Sequence, residues 1–236
     1  PELARPGPDV LDDLDLPDGA VLRYPPGVFS WNPREARSAE RFPEDLVLEG
    51  AGMDATLLRL ATDLSLRVPV HNLTLRDLTL DCGDNSLTDL RHDEPIVLRL
   101  ERCRVVGFDM GAGGSVMLDA RQAALYATDC RFEAGFGGSP GSGNLFRVRS
   151  GLLVRVENCV FRGPFRSVFD RDDAATYVFS GCAFEEMEPH RRGQLESPPE
   201  GVRFEDCVFA WAEPADSRRE RRSLAELNPD WVPPKR

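Results

Sequence analysis

The chain has 236 residues, of which 40 are acidic and 29 are Lys or Arg, so its formal net charge is -11. This charge disfavours a nucleic-acid partner, because binding to a phosphate backbone depends on cationic side chains. No apolar run is long enough to span a membrane, so membrane insertion is not expected. Lys235, in the tail, is the only lysine, which excludes a mechanism that needs a lysine base in the body of the chain.

The chain divides into three predicted regions within one domain. Residues 1–17 contain Val10, Leu11, Leu14 and Leu16 with intervening aspartates, and we expect them to form an N-terminal cap segment. Residues 18–212 carry a repeat, and residues 213–236 form a C-terminal cap or tail. A short charged helix over residues 217–227 fits the cap, and a linker to a further domain is the alternative. Caps at both ends protect the strand edges and open core of a repeat array.

One short pattern recurs six times in residues 73–209, and it reads apolar, x, apolar, two turn residues, Cys, x, apolar. The Cys position is Leu78 in the first copy and then Cys103, Cys130, Cys159, Cys182 and Cys207. Its successive spacings are 25, 27, 29, 23 and 25 residues, which is the period of a solenoid. We expect the thiols to stack as inert, buried core groups, because Cys is small and apolar.

Each copy of the pattern predicts a strand, a sharp corner and a second strand. The alternation of apolar residues has the period of a strand, and two residues interrupt it. The second of these is a type that tolerates a left-handed backbone in five copies, namely Asp77, Asp129, Asn158, Gly181 and Asp206. Arg102 is the exception at this position.

A third, upstream strand ends 11 to 13 residues before each Cys position, for example at Leu118, Val148 and Phe169. The predicted fold is therefore all-β: a single-stranded right-handed parallel β-helix of about seven coils, with three short strands per coil and capped at both ends. Each coil pairs with the coils above and below, so no coil buries its apolar face alone.

The chain resembles the pectin-lyase-like superfamily of right-handed β-helix proteins. The segments that carry the resemblance are residues 18–29 (DGAVLRYPPGVF), 46–58 (LVLEGAGMDATLL), 72–81 (NLTLRDLTLD) and 157–161 (ENCVF). The resemblance implies the fold and, because many such proteins are exported, an extracytoplasmic location, either periplasmic or secreted. It does not imply one activity, because this architecture carries lyases, hydrolases, esterases, adhesins and inert repeats.

Aligning the coils places charged residues in a column directly after the upstream strands: Arg67, Arg91, Asp119, Arg149, Asp170 and Glu196. His92 and Asp172 follow within two positions. In sugar-acting members of the superfamily, substrates lie along the first sheet, which the upstream strands form. The resemblance thus implies a candidate groove here, with an acidic polysaccharide as its ligand.

Three mechanisms could use this column. A lyase needs a base and a cation for a developing enolate, and Arg149 or Arg91 could serve, with Asp119 and Asp170 holding calcium. A glycoside hydrolase needs two carboxylates, for which Asp119 with Asp170 or Asp172 is the best pair. An esterase would use Asp119, Asp170 and Arg149, and His92 beside Asp93 could act as a tuned base. No catalytic motif of a family matches residue by residue.

Two readings of the column remain open. Alternating Asp and Arg on neighbouring coils also pair as a surface salt-bridge ladder without any site. The first function class is therefore a β-helix that binds or processes an acidic polysaccharide. The alternative is a non-catalytic structural or interaction module of a larger protein, which the scarcity of exposed aromatic residues slightly favours.

Overall fold

A computed structural model describes residues 16–31, 44–60, 71–82, 88–92, 96–107, 116–120, 123–133, 144–149, 153–163, 167–169, 176–187 and 195–211. Within these ranges the chain forms parallel strands and almost no helix. Residues 1–15 of the predicted N-terminal cap and the predicted C-terminal cap or tail lie outside the described residues.

Two long parallel sheets run the length of the solenoid. Long sheet 1 contains β1 (Ala20–Arg23), β3 (Asp45–Glu49), β5 (Asn72–Arg76), β8 (Ile96–Glu101), β11 (Ala123–Thr128), β14 (Leu153–Glu157), β17 (Thr176–Ser180) and β19 (Val202–Glu205). Long sheet 2 contains β2 (Gly27–Trp31), β4 (Thr56–Leu60), β6 (Thr79–Asp81), β9 (Arg104–Val106), β12 (Arg131–Glu133), β15 (Val160–Arg162), β18 (Ala183–Met187) and β20 (Val208–Trp211). The predicted parallel β-helix is thereby confirmed.

The number of coils differs from the prediction. Each long sheet has eight strands, one from each coil, where the repeat spacing predicted about seven coils. Two coils, β1–β2 and β3–β4, precede the six recognisable copies of the repeat, and neither carries a Cys position. The physical reason is that pairing with β3 and β4 needs only matching alternation, not the complete repeat pattern.

The third sheet, which we call the upstream sheet, is shorter. It contains β7 (Thr88–His92), β10 (Val116–Ala120), β13 (Asn144–Arg149) and β16 (Ser167–Phe169). Within the described residues, three strands per coil thus hold for four of the eight coils. The inward side chain Phe146 of β13 is fully buried and packs edge-on against Phe132 and Phe161, which ties this sheet to the core.

The corner between long sheet 1 and long sheet 2 has the predicted backbone. The second corner residue has a φ between 50° and 62° in six successive coils, at Asp77, Arg102, Asp129, Asn158, Gly181 and Asp206. Arg102 adopts the same left-handed conformation as the others although its residue type does not favour it. The residue that follows the corner turns inward, and Leu78, Cys103 and Cys159 are fully buried there.

Candidate functional site

The upstream sheet aligns three consecutive residues of the predicted charged column, Arg91, Asp119 and Arg149. In the backbone register, Asp119 of β10 lies opposite Arg91 of β7 on one side and Arg149 of β13 on the other. His92 lies opposite Ala120, one position further along. Four predicted residues therefore lie within three adjacent coils, at strand spacings of about 4.8 Å.

The fourth upstream strand, β16, does not follow the predicted alignment. The sequence alignment set Phe169 opposite Val148, whereas the structure pairs Phe169 with Phe146, a register difference of two residues. Asp170 and Asp172 themselves lie outside the described residues, as do the predicted column positions Arg67 and the loop residue Asp93.

A row of thiols, which we call the cysteine row, runs through the core at the corners. It consists of Cys103, Cys130, Cys159, Cys182 and Cys207, all of them free. Each Sγ lies 3.2–3.6 Å from a carbonyl oxygen of the preceding coil, three residues before the Cys position of that coil. The amide of Cys103 donates to Sγ of Cys130 at 3.5 Å, and the amide of Cys130 donates to Sγ of Cys159 at 3.3 Å.

These contacts also control the acidity of the thiols. A hydrogen bond to Cys130, together with burial, raises the pKa of the Cys103 thiol. Hydrogen bonds from Cys103 and Cys159 lower the pKa of Cys130 against the opposing effect of burial. Burial raises the pKa of Cys182 to about 11 and also raises the pKa of Cys207. Cys103, Cys130, Cys159 and Cys182 are at most 1% exposed, so these four thiols have no access for a substrate, whereas Cys207 at the end of the row is only partly buried.

The outer surface of the two long sheets carries ion pairs between neighbouring coils. Arg104 binds Glu133 through two hydrogen bonds of 2.8 and 2.9 Å, and both side chains are less than one-fifth exposed. Arg76 binds Glu49 at 2.6 Å on long sheet 1. These pairs are of the kind that the salt-bridge reading predicted, although they lie on the long sheets and not on the upstream sheet.

Two further pairs join neighbouring coils. At successive corners, Arg102 binds both carboxylate oxygens of Asp77, at 2.6 and 2.7 Å, and this hydrogen bonding lowers the pKa of Asp77. Asp81 lies in β6, its side chain is 3% exposed, and it pairs with Arg59 of β4 at 3.1 Å.

A group that sequence reasoning missed lies on the outer face of long sheet 1. Arg99, Tyr126 and Arg155 occupy the same register position on β8, β11 and β14. The Arg99 guanidinium stacks 4.6 Å from the centre of the Tyr126 ring. Arg155 is more than half exposed and pairs with Glu157 on its own strand. The sequence does contain a signal for this group: in three successive copies of the repeat, the position between the two inward apolar residues is Arg99, Tyr126 and Arg155.

Comparison with protein-family models, curated proteins and solved structures gave no significant match. Of the pectin-lyase-like resemblance, the structure therefore supports the parallel β-helix fold. Among the described residues, no three His, Cys, Asp or Glu side chains cluster in a way that suits a metal ion. No helix in this part of the chain has the length and apolar character needed to cross a membrane.

Proposed function

We propose that the protein binds an acidic polysaccharide along the upstream sheet, as an extracytoplasmic β-helix protein of the pectin-lyase-like type. The observation that carries the proposal is the register that sets Arg91 and Arg149 on either side of Asp119. Two arginines two coils apart are separated by about 10 Å along the solenoid axis. Their guanidinium groups match the geometry of carboxylates, which a uronide chain presents repeatedly.

The net charge of -11 repels a polyanion at a distance, but the affinity of the bound polyanion depends mainly on the charges that it contacts. At physiological ionic strength the Debye length is about 8 Å, so distant carboxylates are screened while a guanidinium in contact with its ligand is not. The proposal therefore requires local arginines, and it includes calcium as a bridging ion between Asp119 and a uronate.

Binding is proposed in preference to catalysis. A hydrolase requires a second carboxylate facing Asp119, and a lyase requires a positioned base in addition to a cation. The predicted partners Asp170 and Asp172 lie outside the described residues, and Phe169 pairs two positions away from the predicted alignment. The residues that are in register, two arginines around one carboxylate, suit the recognition of an anion.

The test compares two double variants by isothermal titration calorimetry with polygalacturonate, with and without calcium. Arg91→Gln/Arg149→Gln is expected to weaken binding at least about tenfold, because each substitution removes a charged donor pair. The control Arg131→Gln/Arg203→Gln removes the same charge from exposed positions of the long sheets and is expected to bind like the parent. Equal binding by both double variants, or none by the parent protein, would refute the proposal.

The second candidate function is a non-catalytic structural or interaction module. It is favoured by the mutual pairing of charges between coils, as in Arg104–Glu133 and Arg102–Asp77, which leaves fewer groups for a ligand. Absorbance of unsaturated uronides, measured in the same mixtures, separates a lyase from both binding and structural roles, because only β-elimination forms the unsaturated product. A rise in absorbance that Arg149→Gln abolishes would establish the lyase.

A further inference from the structure

The C-terminal end of the solenoid has a partly exposed interior, which we call the end face. Its inward residues are Phe204 of β19, Phe209 and Trp211 of β20, and Cys207 at the corner between them. All four are only partly buried and pack against the core from its edge. One coil earlier, the equivalent residues Phe179, Cys182 and Phe184 are fully buried.

This difference has a simple cause. Each coil covers the interior of the coil before it, and β19 and β20 are the last strands of their sheets within the described part of the chain. The outer edges of these strands also present backbone N–H and C=O groups, which is the arrangement that favours addition of a strand or aggregation. Val208, on the outer surface of β20, is 66% exposed and extends the apolar character of this end.

The rim of the end face is acidic. Glu205 and Asp206 are exposed on the last coil and Glu200 just before it, so these three carboxylates outnumber the one exposed arginine there, Arg203. A second copy of the chain, docked end to end by a two-fold axis, would bring these carboxylates against their own counterparts. Like charges in contact are unfavourable, so the rim favours a partner with positive charge.

The chain itself carries such a partner directly after β20. Within residues 213–236 the positive charge is concentrated in residues 218–222, which contain four arginines and one glutamate, and apolar Leu224, Leu227, Trp231 and Val232 follow. A helix over residues 217–227 would bring Leu224 and Leu227 onto one face, three residues apart, and would be about 16 Å long. This length is comparable to the width of a coil made of five-residue strands.

We propose that residues 213–236 dock on the end face and close the core. In this arrangement Leu224, Leu227 and Trp231 cover the rings of Phe204 and Phe209, and the arginines lie beside Glu205 and Asp206. The segment thus forms an internal partner for a surface that would otherwise recruit another chain. The proposal is independent of polysaccharide binding, because the end face and the upstream sheet are different surfaces.

The thiol of Cys207 lies in the end face, so its rate of chemical labelling measures whether the end face is covered. The other thiols of the cysteine row are at most 1% exposed, so a small thiol reagent under native conditions should label Cys207 alone. A chain truncated after Ala212 is expected to be labelled at least about tenfold faster than the full chain at the same pH. Cys207→Ser in both chains is the control that identifies the labelled residue.

A full-length variant covers the case in which the truncated chain does not fold. Leu224→Ser/Leu227→Ser is expected to accelerate labelling of Cys207 while the far-ultraviolet circular dichroism stays that of the parent. High salt is expected to accelerate labelling of the full chain through the arginine contacts. Equal labelling of all chains would overturn the proposal. Protection that grows with protein concentration, with a dimer by light scattering, would show that a second copy covers the face and would equally overturn it.

Discussion

At the scale of single residues, Gly50 shows how close two neighbouring coils approach. A Cβ added there would overlap the carbonyl oxygen of Asp77 and would lie 2.8 Å from Cβ of Leu78 and 2.9 Å from Cβ of Thr56. The amide of Gly50 donates to the carbonyl of Arg76 in the next coil at 3.0 Å. The neighbours are one backbone atom and two Cβ atoms, whose positions do not change with the side-chain rotamer.

We therefore expect Gly50→Ala to destabilise the protein by about 3 kcal/mol, at the upper end of the range for overpacking. The control is Gly19→Asn, at a position with φ of 72° and no atom within 4 Å of an added Cβ. Asparagine tolerates the left-handed region, so its cost should stay below about 1 kcal/mol. Urea denaturation gives both values, and equal losses would contradict the steric argument.

At the scale of elements, the corner strands owe their regular stacking partly to the cysteine row. Cys103 lies at a corner, outside the strands, and a buried amide that lacks an acceptor is costly. The Sγ of Cys130 accepts from this amide at 3.5 Å and also lies 3.4 Å from the carbonyl of Leu100 in β8. A small side chain with donor and acceptor capacity is therefore useful at every corner, which explains its recurrence in the sequence.

Cys130→Ala should accordingly lower the free energy of unfolding by more than the loss of the buried sulfur volume alone would. The variant removes a buried sulfur atom and leaves the amide of Cys103 without its Sγ acceptor, so we expect a loss of about 2–3 kcal/mol. Cys207→Ala, at the partly buried end of the row, should cost less than about 1 kcal/mol. Denaturant midpoints at constant slope measure both, and a larger effect at Cys207 would contradict this role of the row.

The same elements show how far the sequence predicts the structure. The corners were predicted correctly, including Asp77 and Asn158, because a two-residue bend has a fixed length and a local signature. The register of Phe169 was predicted wrongly, because a slip of two residues leaves the same side chains pointing inward. The number of residues between an upstream strand and the next strand of long sheet 1 varies from coil to coil, so alternation alone could not determine that register. Arg91, Asp119 and Arg149 were aligned correctly, because Leu90, Leu118 and Val148 fix the apolar pattern there.

At the scale of the whole molecule, one phenylalanine stack connects four coils. Phe132, Phe161, Phe184 and Phe209 of long sheet 2 stack with centroid distances of 5.0, 4.8 and 4.9 Å and interplanar angles of 7–12°. Phe161 lies inside this stack and also packs edge-on against Phe146 and Phe179, so it joins all three sheets. The stability of a solenoid is approximately a sum of such interfaces between neighbouring units.

Two substitutions in this stack should therefore differ in the stability they remove and in the number of strands whose hydrogen exchange they affect. Phe161→Ala should cost about 3–5 kcal/mol, because it opens a cavity at an interface shared by three sheets. It should also lower the protection of amides against hydrogen exchange in β12, β15 and β18 together. Phe209→Ala removes a ring that is already partly exposed, and we expect a smaller loss, with faster exchange confined to β18 and β20. Equal spreading of the exchange effects would mean that the coils unfold as one cooperative unit, and not as an array of nearest-neighbour interfaces.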